Sequence, residues 1–251
     1  MKITEGLEML QIPAVLANGP GMIYPVIIHD ENTVILVDTG FPGQVQLFRD
    51  EAEKAGIPFE RLDKVIITHS DMDHIGGLSA ILKESSGNVE VLAHGLEKPY
   101  IECEKPPIRM SQLEAQLAFL SGEKLQQMKA LHDSLKANYR NFRADVSNTL
   151  SDNQNLPYCG GITVIHTPGH TPGHICLYIE ESKVLIAGDV LNVENDVLVP
   201  CPKFTVLDAD AAARSLRKLV ELDIDWVICY HGGLYSRDAG KRIAEIAAAL
   251  D

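Results

Sequence analysis

Apolar residues in this chain fall into short runs suited to strands and into stripes at helical spacing, and the two kinds alternate along its length. The runs come first. Residues 2–12 and the pair 22–28 and 33–37, the latter two separated by the polar turn His29-Asp30-Glu31-Asn32, read as an antiparallel opening. Residues 45–55 then place Val45, Phe48, Ala52 and Ala55 on one helical face, with Gly56-Ile57-Pro58 as the stop. Residues 65–67 predict a buried strand, 74–82 a helix and 89–93 a further strand. After a long middle segment, residues 162–165, 175–179 and 184–187 predict a meander, and 226–230 a last strand between helices at 209–222 and 237–250. Strands followed by helices, given twice, predict an α/β fold of two packed sheets with helices outside.

The middle segment, about 95–155, is longer than a plain connection requires. Leu113, Leu117 and Leu120, then Leu125, Met128, Leu131 and Leu135, recur at three- and four-residue steps broken by Gly122, which predicts two amphipathic helices over the site. Their stripe suits core or a dimer contact better than a pocket, and the sequence leaves the oligomeric state open. Lys98, Tyr100 and Arg109 offer cations and an aromatic to a substrate acid group.

Composition narrows the class. With 251 residues, 45% of them hydrophobic, and no linker or charge run, the chain reads as a single domain, 1–251. A net charge of −13 disfavours nucleic acid as a partner. The N-terminus lacks an export pattern and no apolar window suits a membrane, so a cytoplasmic protein acting on a small molecule is expected. Five scattered cysteines without a C-x-x-C pair argue against disulfides.

The chemistry is concentrated in Thr68-His69-Ser70-Asp71-Met72-Asp73-His74-Ile75-Gly76-Gly77, two imidazoles and two carboxylates within six positions after an apolar strand. Neutral imidazole and ionised carboxylate hold zinc, iron or manganese at about 2.0–2.2 Å. Further donors follow other apolar runs: His170 in Thr167-Pro168-Gly169-His170-Thr171-Pro172-Gly173-His174, Asp189 after Ile186-Ala187-Gly188, and His231 in Tyr230-His231-Gly232-Gly233. Loops at strand ends carry polar ligands without burying unpaired groups.

In this order the residues resemble the metallo-β-lactamase superfamily of binuclear metal hydrolases, whose pattern is His-x-His-x-Asp-His, then a His, a bridging Asp and a last His. The resemblance implies an αββα sandwich with a helical insertion. It implies two divalent ions, zinc foremost with iron or manganese compatible, the first held by His69, Asp71 and His170, the second by Asp73, His74 and His231, with Asp189 between them. Val37-Asp38-Thr39-Gly40 is similar to the family's opening motif, where Asp38 either caps a turn or braces a ligand imidazole. His166 and His174 fall outside the ligand pattern and are read as structural. The implied reaction is attack of a metal-activated water on a small-molecule ester, lactone or thioester, with Asp73 as the catalytic proton donor. Lactonases and glyoxalase II resemble the segment at 167–174.

Asp71 departs from the pattern, standing where the family has its second His, as a Glu does in flavodiiron proteins. The alternative it raises is di-metal redox chemistry with a separate partner. For a hydrolase the carboxylate removes one unit of positive charge from the site, which predicts activity rising toward alkaline pH. Because the insertion supplies none of the seven ligands, it is expected to set substrate choice and leave metal binding alone.

Overall fold

The computed structural model describes residues 1–16, 19–85 and 88–250. Two mixed sheets form its centre. The first runs in the order Lys2–Thr4, Leu7–Met9, Val26–His29, Val34–Val37, Lys64–Ile67, Glu90–His94 and Asn148–Leu150, with the last four strands mutually parallel. The second runs Asn155–Leu156, Ile162–His166, Ile175–Ile179, Val184–Gly188, Trp226–Cys229 and Gly233–Tyr235, where only Val184–Gly188 and Trp226–Cys229 pair in parallel.

Period-two alternation sorts each strand's side chains between two cores. Ile35, Val37 and Ile66 point toward the second sheet and meet Val164, Leu177, Ile186 and Ile228. Their neighbours Leu36, Val65 and Ile67 point outward onto Phe48 and Ala52 of the helix Val45–Lys54 and Ile81 of the helix Leu78–Glu84. Across the molecule Leu185, Ala187, Val227 and Cys229 face Leu216 and Leu219 of Ala209–Leu219 and Ile243 and Ile246 of Ala239–Ala248. Both faces of each sheet are therefore covered, which is why the central strands read as continuous apolar runs. The layers are helix, sheet, sheet, helix.

Several predicted elements divide. Residues 22–28 do not form one strand, because Pro25 has no N–H for a ladder. Gly19–Ile23 instead pairs with Ile12–Leu16 as a separate two-stranded sheet, and Val26–His29 joins the first sheet. The helix expected at 74–82 becomes Met72–Ile75 and Leu78–Glu84, split where Gly77 donates its N–H to the Gly40 carbonyl at 3.1 Å. The middle segment forms the helices Ile108–Leu117 and Gly122–Asn138, which pack on each other. Leu131 stays 49% exposed, so the stripe buries only part of itself. All five cysteines are free. Among the described residues no helix is long and apolar enough to cross a membrane.

Candidate metal centre

The carboxyl ends of Val34–Val37, Lys64–Ile67 and Val184–Gly188 meet at one edge of the sandwich, and the polar motifs follow directly from them. Thr68 ties the sheets together there, its carbonyl accepting the Ile175 N–H at 3.0 Å. Asp38 sits 1% exposed with φ of 63°. It braces the His74 imidazole and does not merely cap its turn. Oδ1 accepts the Thr68 N–H at 2.8 Å, while Oδ2 accepts the Thr68 hydroxyl at 2.8 Å and His74 Nδ1 at 2.9 Å. Through Nδ1 the Asp38 carboxylate orients the His74 ring so that Nε2 points inward, toward Asp189. Thr39 fixes the same turn from its other side by donating both N–H and hydroxyl to the His74 carbonyl, each at 2.7 Å. The Tyr230 ring lies over the His74 ring with centroids 3.8 Å apart, and its hydroxyl donates to the Asp73 carbonyl.

Six of the seven candidate residues converge in two groups. His69, His170 and Asp189 bring ligand atoms within 4.8 Å of one another, and so do Asp73, His74 and His231. Asp189 faces both, with Oδ1 3.4 Å from His74 Nε2 and Oδ2 3.5 Å from His170 Nε2 and 3.3 Å from His231 Nε2. The first group is sealed, with His69 0% and His170 4% exposed. The second is open, the His231 and Asp73 side chains being 22% and 21% exposed. The centre is therefore open to solvent on the side of His231 and Asp73.

Charge is balanced inside this pocket. Burial opposes protonation of His231, but Asp189 and Asp73 outweigh it and lift the imidazole to about 10. Burial likewise opposes a charge on His170, and Asp71 foremost raises it to about 9. Burial works against the Asp189 carboxylate too, yet His231 and His74 hold it well below the usual range. His69, buried and beside His74, is pushed down.

Asp71 is in the cluster but otherwise engaged. Its Oδ2 lies 3.0 Å from His170 Nε2 and 3.4 Å from His69 Nε2. Arg109 of the helix Ile108–Leu117 grips the same carboxylate, Nε reaching Oδ1 at 2.9 Å and Oδ2 at 2.8 Å. The other guanidinium nitrogens bond the Thr205 carbonyl at 2.6 Å, Gln112 Oε1 at 3.2 Å and the His170 carbonyl at 3.3 Å. Arg109 is thus spent on the site's own groups and is no open anchor for a substrate acid. Two residues of the insertion, Glu97 and Arg109, bond the loops that carry the candidate ligands. Nothing in helical periodicity marks either residue.

The remaining imidazoles are structural. His174 contacts the Thr167 hydroxyl through Nδ1 at 2.8 Å and accepts the Asp189 N–H on Nε2 at 3.0 Å. Gly188, with φ of 51°, makes room for this, since a Cβ there would lie 2.7 Å from His174 Nε2. His166 bonds the Pro172 carbonyl and stacks on His94 with centroids 4.2 Å apart.

The donor set fits a divalent metal. His69 Nε2, His74 Nε2 and Asp189 Oδ1 are buried without a hydrogen-bond partner. Leaving such groups unpaired costs roughly 1–3 kcal/mol each unless a ligand takes them. Residues 18–231 match the metallo-beta-lactamase superfamily. The chain belongs to this superfamily. Among its relatives in the family, a protein of Bacillus subtilis described as a probable metallo-hydrolase, YflN, is 30% identical over 219 residues, 81% of this chain and 76% of that one. A hydroxyacylglutathione hydrolase of Photorhabdus laumondii is 26% identical over 225 residues, 89% of this chain and 65% of that one. A metallo-beta-lactamase family structure from Thermus thermophilus superposes with a TM-score of 0.73 at 21% identity, covering 98% of this chain and 79% of that one. The superfamily's α/β sandwich is the architecture described above.

Proposed function

We propose that this protein is a binuclear metal-dependent hydrolase that opens an ester, lactone or thioester of a small molecule. The position of Asp189 carries the reading, because one carboxylate facing both ligand groups suits a bridge between two ions. Two divalent ions, zinc foremost with iron or manganese compatible, would supply Lewis acidity toward a carbonyl and an activated water.

The chain's own part is positional. His69, His170 and Asp189 form the sealed donor set, and Asp73, His74 and His231 the open one. Asp38 holds His74 with Nε2 inward. Asp73 lies on the open side, where its carboxylate could take the proton that the attacking water gives up and pass it to the leaving group. The likeness to hydroxyacylglutathione hydrolases, whose name denotes an acylated thiol as substrate, favours thioesters for the panel. A flavodiiron-like role drew on Asp71 alone, and the grip of Arg109 on that carboxylate lends it nothing further.

Protein purified without added metal, analysed by elemental mass spectrometry and then assayed on ester, thioester and lactone panels, tests the proposal. About two ions per chain and turnover of at least one class are expected. Metal-free protein that takes up no zinc, iron or manganese, or a loaded protein inert on every class, would refute it.

A further inference from the structure

The second half of the repeat at 167–174, Thr171-Pro172-Gly173-His174, supplies no ligand, and one buried acid accounts for it. Glu97 lies between the strand Glu90–His94 and the helix Lys98–Ile101 and is 0% exposed. Four neutral donors converge on its carboxylate. Oε2 accepts the Ser70 N–H at 2.9 Å and the Ser70 hydroxyl at 2.5 Å, while Oε1 accepts the Thr171 hydroxyl at 2.8 Å and the Gly173 N–H at 2.7 Å. Ser70 stands between His69 and Asp71, and Thr171 follows His170. Each oxygen therefore holds a different ligand loop.

The local sequence is cut to receive this side chain. A Cβ on Gly173 would lie 2.8 Å from Glu97 Cγ and 2.9 Å from Oε1, so only glycine brings its N–H close enough. A buried carboxylate is costly unless hydrogen-bonded, and four donors around two oxygens meet that demand. The tie is rigid and is made without any ligand atom. We propose that Glu97 is a positioning residue that sets the separation of the 69–74 and 167–174 loops, and with it the spacing of His69 and His170 that receives the first metal. The inference rests on the metal reading of the centre.

Glu97→Gln is the decisive variant. An amide offers one oxygen and one NH2, so one loop must meet a donor where it had an acceptor, and that loop is released. Outer partners of metal ligands are typically worth about 10–100-fold in metal affinity. Competition with a chromophoric chelator should show one zinc ion weakened by about that factor. The visible spectrum of the cobalt(II)-loaded protein should change, and hydrogen exchange at the Ser70 or Gly173 amide should quicken. Should Glu97→Gln fail to fold, Ser70→Ala with Thr171→Val removes two of the donors, leaves the acid in place and should shift both metal readouts in the same direction. A folded variant with parental zinc affinity and cobalt spectrum overturns the role of Glu97 while leaving the metal reading intact. Parental protein that binds neither zinc nor cobalt overturns both.

Discussion

Asp189 faces both donor groups, its Oδ2 lying near His170 of one and His231 of the other and its Oδ1 near His74. Asp189→Ala should therefore release both ions together, read as a metal-to-protein ratio near zero after gel filtration; loss of a single ion would show the groups to be independent. The imidazoles make a second forecast, for the metal-free protein. His170 at about 9 and His231 at about 10 lie above the ordinary 6.5 of the unfolded chain. Their contribution to stability is full below about pH 6.5 and is lost as pH rises through those values, since the folded form then holds protons that the unfolded form does not. On the acid side Asp71 and Asp189 are depressed, and their contribution, present above about pH 4, is lost as pH falls. Denaturant midpoints of chelator-treated protein should thus drop steadily from pH 7 to 10, and a flat profile there would contradict the ion-pair account.

At the scale of elements, the helix Ile108–Leu117 matters more than its ligand-free sequence suggests. Arg109 returns the unit of positive charge that Asp71 removes, so the pair together carries the same net charge as the neutral imidazole of the family pattern. The alkaline shift expected from Asp71 alone is thereby offset. Arg109→Ala should uncover it. On a substrate that the panel identifies, the pH profile of turnover should move upward in the variant, and hydrogen exchange across residues 108–117 should accelerate because the tie to Asp71 and the Thr205 carbonyl is gone. An unmoved profile with unchanged exchange would mean that the ion pair neither tunes the centre nor anchors the helix.

For the whole molecule, the unpartnered groups at the sandwich edge link metal binding to stability. A ligand present at a thousand times its Kd stabilises by about 4 kcal/mol, and for a chain of this size each kcal/mol moves Tm by about 2–4 °C. Stripping the ions should lower Tm by roughly 10 °C, and zinc should restore it; identical melting curves with and without chelator would argue against a metal bound at this edge. Much of this molecule was written locally. Apolar runs at 34–37, 65–67 and 184–187 fix buried strands, because strands covered on both faces need no polar alternation. The seven donors were legible because each follows such a run, and their order carries the family likeness. Short pairings such as Leu191–Glu194 with Val197–Pro200 were not, since Asn192 and Glu194 break the first strand's apolar run and two alternations are too few to mark a strand. Tertiary structure alone decided that Asp38 reaches across 36 positions to His74, that Glu97 joins two loops 27 and 76 residues away, and that Arg109 claims Asp71. Such partners are set by where chain reversals bring distant side chains together, and a buried acid satisfied by remote donors looks, in one dimension, like any surface acid.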